Sequence, residues 1–262
     1  MQYVQRLFPK LCLGVFSLYF SMRLQAEHVV YLSVPEGALV SVLAAPDGAA
    51  TRQNIKPFLM RSTLVSVADF ERFVQTHPYW QRGHGAMLLQ GNGYLQSWSY
   101  PDRLGDENKE KASRGKPVTE VSWYAARAYC QAEGGRLPNW FEWEYVAAAD
   151  KHEPDARHLP NYGQNLINTL KDAANIPAGN FYGIRQMHGA LWEWVEDYQS
   201  LFAPNADPRD PGTGNQLGTC GGAALAFRDR SDFTMMMRIA ALSSMQPDQS
   251  SSAISFRCVR DP

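Results

Sequence analysis

Cysteine has the most reactive side chain in this sequence, and it occurs at positions 12, 130, 220 and 258. Thiolates act as nucleophiles and as soft metal ligands, and zinc ribbons and dithiol redox sites place two cysteines with two residues between them. No two cysteines of this chain have that spacing. The pattern argues against both kinds of site. In an oxidising compartment, the last three cysteines permit one disulfide and leave one thiol over.

Histidine and arginine provide a second set of candidates. His77 and His84 flank Trp80 and have the side chains of a transition-metal pair. No acidic residue stands near them, so two surface histidines are the simpler interpretation. Arg136 lies at the boundary of a predicted helix, where it can form an ion pair with Glu142 or with Glu144. Neither pattern by itself defines a reaction.

The composition is that of a globular protein. The 262 residues are 45% hydrophobic and 12% aromatic, which is too apolar for a disordered chain. Lysine and arginine number 25 against 26 aspartate and glutamate residues, for a net charge of −1. This balance excludes a generally basic nucleic-acid-binding protein, and no nucleic-acid partner is predicted.

The first 26 residues have the pattern of a secretory signal peptide. Arg6 and Lys10 precede an apolar run over 11–22, and Ala26 ends a weak small-residue cleavage site. We expect the mature chain to begin near Glu27 and to be periplasmic or secreted. An uncleaved membrane anchor and a buried first helix are the alternatives. No later stretch approaches the roughly 18 apolar residues of a membrane span, so none is expected after cleavage.

The rest of the chain predicts one α+β domain over 27–262 with much irregular structure, rich in loops because Gly and Pro number 20 and 16. Apolar alternation around Pro35 predicts a β-hairpin. Possible N-caps at Ser66 and Ser122 begin two helical patterns, and a third follows Asn139. A charge run over 102–116 indicates a solvated loop or a partner site. The predicted strands are 29–34, 38–43, 55–65, 219–224, 235–242 and 254–259, and the predicted helices are 66–74, 122–133 and 139–149.

Three blocks of sequence resemble the formylglycine-generating enzyme (sulfatase-modifying factor) family. The first is Pro117-Val-Thr-Glu-Val-Ser-Trp-Tyr-Ala-Ala-Arg-Ala-Tyr-Cys130, followed by Gly135-Arg-Leu-Pro-Asn-Trp-Phe-Glu-Trp-Glu-Tyr145. The second is Tyr182-Gly-Ile-Arg-Gln-Met-His-Gly-Ala-Leu-Trp-Glu-Trp194. The third is Gly221-Gly222 with Arg238-Ile-Ala-Ala and Phe256-Arg-Cys-Val-Arg-Asp261. The resemblance covers roughly 55–261 and implies the family's variant of the C-type lectin fold, which is low in regular secondary structure.

The resemblance also implies a disulfide. Cys130 and Cys258 match the family's paired positions, and the alternative is two buried free thiols. Cys220 is then unpaired, and it is either a nucleophile or lone metal ligand near the cleft or an inert buried thiol.

Two structural calcium sites are implied in the same way. In the first, Gln186 stands where aspartate or asparagine is usual, which predicts weakened binding, and Glu193 as a structural acid is the alternative. The second lies in a shortened loop. The first ligand set is Gln186, Gly189, Leu191 and Glu193, and the second is Asn161, Tyr162, Asp172 and Ala174.

The copper chemistry of the family is not expected here. Family members bind copper through two cysteines after the Gly-Gly pair, and those positions fall at Ala226 and Ser231. Neither side chain supplies a thiolate, so copper is not predicted as a cofactor, and no other cofactor-binding residues are identified. Four polar or thiol residues near the implied cleft remain catalytic candidates, namely Cys220, Arg228, Ser231 and Arg238.

Two classes of function follow from the resemblance. Exported relatives without the copper cysteines include maturation enzymes of the pyoverdine chromophore and accessory proteins of nitrite-reducing copper enzymes. The first class predicts an oxidoreductase-type maturation factor acting on a peptide or a peptide-derived product. The second predicts a non-catalytic module that binds a periplasmic metalloenzyme. Glu120, Trp123, Asp229, Arg230 and Asp232 add polar groups near the same cleft, or are ordinary surface residues.

Overall fold

The computed structural model describes residues 29–44, 50–105, 108, 111, 113–158, 179–189, 191–200 and 233–262. The predicted signal peptide over 1–26 lies outside these residues. So do Ala226 and the catalytic candidates Cys220, Arg228 and Ser231. Within the described part of the chain, the helices are too short or too polar to cross a membrane.

Strand pairing brings distant parts of the chain together. β1 (Tyr31–Val34), β4 (Phe58–Arg61) and β7 (Val259–Arg260) form an antiparallel sheet in the order β1-β4-β7. β2 (Gly37–Ala44) and β3 (Ala50–Ile55) form a separate antiparallel pair. The predicted hairpin around Pro35 is therefore wrong, because β1 pairs with β4 rather than with β2. Burial of Val34 and Met60 in the core outweighs the local turn signal.

A third, two-stranded sheet is parallel. β5 (Trp192–Glu193) pairs with β6 (Ile254–Ser255), with Glu193 opposite Ser255. The strand predicted over 254–259 is thus divided between β6 and β7. The strand predicted over 219–224 lies outside the described residues.

Side-chain caps begin three helices at the positions that the sequence indicates. Ser66 accepts from the Asp69 amide at the start of α1 (Val67–Thr76), and Ser122 accepts from the Ala125 amide. Asn139 accepts from the Glu142 amide in a capping box. Further α-helices are α2 (Met87–Gln90), α3 (Trp123–Ala132) and α4 (Trp140–Ala147). Single 3₁₀ turns cover Pro78–Trp80 and Tyr198–Ser200.

The segment predicted as a strand over 235–242 is a helix, α5 (Phe233–Ser243). Met235, Ile239 and Leu242 recur at helical spacing and are buried. Arg238 lies on the same buried side. A strand would have directed these residues to opposite faces, so the demand for one buried face explains the helix.

The core lies between the helices and the short sheets and is rich in aromatic side chains. Trp140 and Trp143 stack with ring centroids 5.6 Å apart, and Trp194 packs on Tyr198 at 5.1 Å. A disulfide joins the fully buried Cys130 of α3 to Cys258, just before β7. The α+β fold class with little regular secondary structure is confirmed.

Candidate functional site

A tight turn leads the chain into the centre of the predicted first calcium site. Gln186 has a φ of 61°, and its carbonyl accepts from the Gly189 amide at 3.1 Å. After this turn, Trp192 and Trp194 donate their amides to Ala253 and Ser255. The alternation of β5 then directs Glu193 into the interior, where the residue is 1% exposed.

Glu193 forms an ion pair with Arg257. Arg257 Nε lies 2.6 Å from Oε2 of Glu193, and Nη2 lies 3.1 Å from Oε1. Nη2 also donates to the Arg185 carbonyl at 3.0 Å. Both side chains are fully buried. The pair is bidentate and uses both oxygens of the predicted calcium-binding carboxylate.

Arg238 of α5 approaches the same turn from the other side. Its Nη2 lies 3.2 Å from the Met187 carbonyl oxygen and 3.5 Å from that of Leu191. Its guanidinium carbon lies 4.3 Å from the ring centroid of Trp143 and 5.3 Å from that of Trp192. Burial lowers the pKa of Arg238, Glu193 opposes this shift and Arg257 adds to it, which together bring the pKa to about 10, so the side chain is charged at neutral pH.

The described residues fit calcium poorly at this place. Calcium requires six to eight oxygen ligands, usually with carboxylates among them. Here the Glu193 carboxylate is engaged by one guanidinium, and the Leu191 carbonyl faces another. In the part of the chain that the structure describes, no three His, Cys, Asp or Glu side chains are grouped to hold a metal. The second predicted set, Asn161, Tyr162, Asp172 and Ala174, lies outside the described residues.

His188 is a buried member of this cluster that the sequence reasoning missed. Its Nε2 lies 2.5 Å from the Ala147 carbonyl oxygen, and its ring meets Trp143 edge-on at 6.2 Å. Burial lowers its pKa to about 4, against the raising effect of this hydrogen bond, and the Arg238 charge lowers it as well. The ring is therefore neutral at neutral pH. A histidine between two predicted ligand positions was the available signal.

Other predicted residues have structural partners. Arg136 pairs with Glu142, with two contacts of 2.7 Å, whereas Glu144 pairs with Arg157 at 3.0 Å. The His77 ring stacks on Phe73 at 4.7 Å at the end of α1.

Of the predicted cleft residues, Glu120 and Trp123 have partners elsewhere in the fold. Glu120 accepts from the Ser97 amide at 2.7 Å, and Trp123 Nε1 donates to the Val195 carbonyl at 2.9 Å. Arg238 is the catalytic candidate that the structure describes, and it is 2% exposed. The cleft positions Asp229, Arg230 and Asp232 lie outside the described residues.

A surface cavity of about 310 Å³ lies between the predicted helices 66–74 and 122–133, where the sequence analysis predicts neither a helix nor a strand. We call it the 82–96 cleft. The buried Gln90 side chain holds its wall, donating to the Tyr79 and Gln81 carbonyls and accepting from the Gly83 amide. Gly91 has a φ of 63°, and a Cβ there would lie 2.3 Å from the Asp248 carbonyl oxygen. The cavity is lined by Arg82, Gly83, Gly85, Met87, Gln90, Gly91, Asn92, Tyr94 and Gln96.

The rim of this cleft is apolar. Met87 and Leu88 of α2 are 73% and 81% exposed, and Tyr79 beside them is 47% exposed. The signal in the sequence was an adjacent apolar pair within a glycine-rich stretch. The described part of the chain thus has a surface pocket with backbone, cationic and apolar groups, and separately a buried cationic cluster at Arg238.

The chain as a whole is similar to known proteins. The model of the sulfatase-modifying factor enzyme 1-like domain matches residues 20–262. Formylglycine-generating enzyme of Mus musculus is 26% identical, over 82% of this chain and 69% of its own length. Inactive C-alpha-formylglycine-generating enzyme 2 of the same organism is 24% identical, over 90% of this chain and 88% of its own.

A solved structure of PvdO from Pseudomonas aeruginosa is similar with a TM-score of 0.48 and 15% identity, covering 88% of this chain and 94% of that one. The family model spans almost the whole sequence, including all three blocks that carry the resemblance. This chain therefore belongs to the sulfatase-modifying factor enzyme 1-like family.

Proposed function

We propose that the chain is an exported maturation factor that binds a peptide or a peptide-derived product in the 82–96 cleft. The observation that carries this proposal is the open cavity of about 310 Å³ beside the exposed Met87 and Leu88. This volume is at the lower end of the range usual for small-molecule pockets. A single peptide side chain with its flanking backbone is therefore the appropriate size of ligand.

The lining of the cleft supports a peptide. Gly83 has no side chain, and a Cβ there would meet nothing within 4 Å, so an extended chain can approach its backbone closely. Arg82 supplies a positive charge for a carboxylate or a carbonyl, and Met87 is a flexible apolar surface that adapts to different side chains. These groups bind and orient a ligand, and we assign none of them a chemical step.

The proposed activity differs from copper-dependent formylglycine formation. Ala226 and Ser231 stand at the positions where the family resemblance implies the copper thiolates, and neither residue is a soft ligand. If the factor is an enzyme, its chemistry is of another type. Export is part of the proposal, and it predicts a mature periplasmic protein that starts near Glu27 by intact mass.

A second candidate is a non-catalytic module that uses the same cleft to bind a periplasmic enzyme. One observation favours it, which is that a relative named as inactive matches 90% of this chain. Both candidates require binding in the cleft, and they differ in whether the bound partner is changed.

One experiment tests the proposal and separates the two candidates. A library of extended octapeptides is captured on the mature protein, and bound peptides are weighed before and after incubation in air. We expect Arg82→Ala and Met87→Ser to reduce capture, whereas Arg52→Ala, at an exposed position on β3, leaves it unchanged. A mass change in the bound peptide supports the maturation factor, and unchanged mass supports the binding module. Capture that is insensitive to both cleft variants would refute the proposed site.

A further inference from the structure

The interior cluster at Arg238 has more positive than negative charge. Arg238, Arg257 and Glu193 are 2%, 0% and 1% exposed. Both oxygens of Glu193 accept from Arg257, and this one carboxylate is accompanied by two guanidinium groups, so the cluster has an excess of one positive charge. An excess buried charge is costly unless a counter-charge accompanies it.

The same cluster has hydrogen-bond donors without acceptors. Arg238 Nε and Nη1, Arg257 Nη1 and Trp143 Nε1 are buried, and no described residue accepts from them. The hydroxyl of Ser255 also has no partner among the described residues, and Ser255 lies opposite Glu193 in the β5–β6 pair. Each unsatisfied buried donor costs about 1–3 kcal/mol. Several such donors around one excess positive charge indicate a bound group that is negative and accepts hydrogen bonds.

We propose that a small monovalent anion occupies the interior beside Arg238 and Trp143. One negative charge neutralises the cluster, and the unsatisfied Nε and Nη1 of Arg238 are its natural donors. The guanidinium carbon of Arg238 lies 4.3 Å from the Trp143 ring centroid, and the Nε1 of this ring is a further buried donor that no described residue satisfies. The site is buried, so a halide fits it better than a large oxyanion. A divalent cation would instead raise the net charge of the cluster from one to three.

Three other acidic side chains of the described chain, on α4 and just after β5, have arginine partners of their own. Glu142 pairs with Arg136, Glu144 with Arg157 and Glu196 with Arg127. These carboxylates are not the counter-charge of Arg238. This anion site is separate from the 82–96 cleft, so its test does not depend on the proposed function.

The test measures thermal stability against chloride at constant ionic strength, with sodium gluconate replacing sodium chloride. Ligand binding to the native state raises Tm, and above saturation we expect a rise of about 3–5 °C for each tenfold increase in chloride. Crystals soaked in sodium bromide should show an anomalous peak within hydrogen-bond distance of Arg238. Arg238→Met should abolish the chloride dependence, and Arg238→Lys should retain part of it. Arg127→Met, which removes a half-exposed arginine, should leave it intact.

Each other result overturns the inference. A Tm that does not change with chloride would overturn it. If a bromide peak appears although Tm does not change, the site holds an adventitious ion only. Chloride dependence retained in Arg238→Met would place the anion elsewhere. Electron density for a carboxylate of the chain at Arg238 would show that the counter-charge is internal. If Arg238→Met does not fold, the wild-type titration and the bromide map decide together.

Discussion

The Arg257 guanidinium donates to both carboxylate oxygens of Glu193, through Nε to Oε2 at 2.6 Å and through Nη2 to Oε1 at 3.1 Å, with both side chains entirely buried. The pair connects the residue before Cys258 to β5, and it lies beside Arg238. It therefore links the disulfide region to the turn at 186–189. Removing one partner should therefore not cost the same stability as removing the other, because the loss of Glu193 leaves the two buried cations Arg238 and Arg257 together.

We predict that Glu193→Gln destabilises the protein more than Arg257→Met does. Breaking a buried pair typically costs about 3–5 kcal/mol. In Arg257→Met, the Arg238 charge remains near Glu193 and reduces the loss. Urea unfolding of both single variants and the double variant measures this order. Glu196→Gln, which breaks the more exposed pair with Arg127, should cost about 1 kcal/mol or less. Equal losses from the two single variants would contradict the asymmetry.

The second prediction concerns calcium removal. We expect that EDTA does not lower Tm by removing calcium from Glu193, because the Glu193 carboxylate is bound to Arg257. If calcium does raise Tm, the effect should survive Gln186→Ala and disappear in Asp172→Ala, which removes a ligand of the other predicted set. Differential scanning fluorimetry with and without calcium measures this. Loss of a calcium effect in Gln186→Ala would restore the first predicted site.

The disulfide provides the third prediction. The bridge between Cys130 and Cys258 joins residues 128 apart, so its removal releases a large part of the unfolded chain. Cys130→Ala with Cys258→Ala should lower the free energy of unfolding by about 2–5 kcal/mol. Non-reducing peptide mapping should show this link and leave Cys220 open to alkylation after unfolding. Cys220→Ala is the matched control and should unfold like the wild type. A main species linked through Cys220 would contradict this pairing.

The fourth prediction concerns formylglycine. With copper and oxygen, the protein should not convert a sulfatase-type cysteine peptide, because Ala226 and Ser231 supply no thiolates. Ala226→Cys combined with Ser231→Cys should gain tight Cu(I) binding, because two apposed thiolates suit this ion. Each single cysteine variant serves as a control and should bind Cu(I) more weakly. Mass spectrometry of the peptide and a competitive Cu(I) titration measure the two outcomes. Aldehyde formed by the parent above the background rate would refute the first, and a folded double variant without added Cu(I) affinity would refute the second.

Local signals in the sequence were sufficient for several parts of this structure. Ser66 and Ser122 begin helices as predicted, because an N-cap satisfies amides only three residues away. Family membership and the α+β class follow from the three blocks, whose residues are individually distinctive. The Arg136–Glu142 pair was one of two alternatives, and its members lie three residues before and three residues after the N-cap Asn139.

Long-range packing decided the rest. The partner of β1, the helical state of α5 and the neighbours of Arg238 depend on residues far apart in sequence. The composition of 235–242 predicts a strand, but burying Met235, Ile239 and Leu242 against one core requires a helix. Likewise, no local pattern predicts the ion pair of Glu193 with Arg257, which lies 64 residues later in the sequence. The sequence by itself determined the family and the local caps, since these depend on near neighbours. Only the tertiary structure decided which charges meet in the interior, because a buried charge is costly unless it is paired and its partner can lie far away in the sequence.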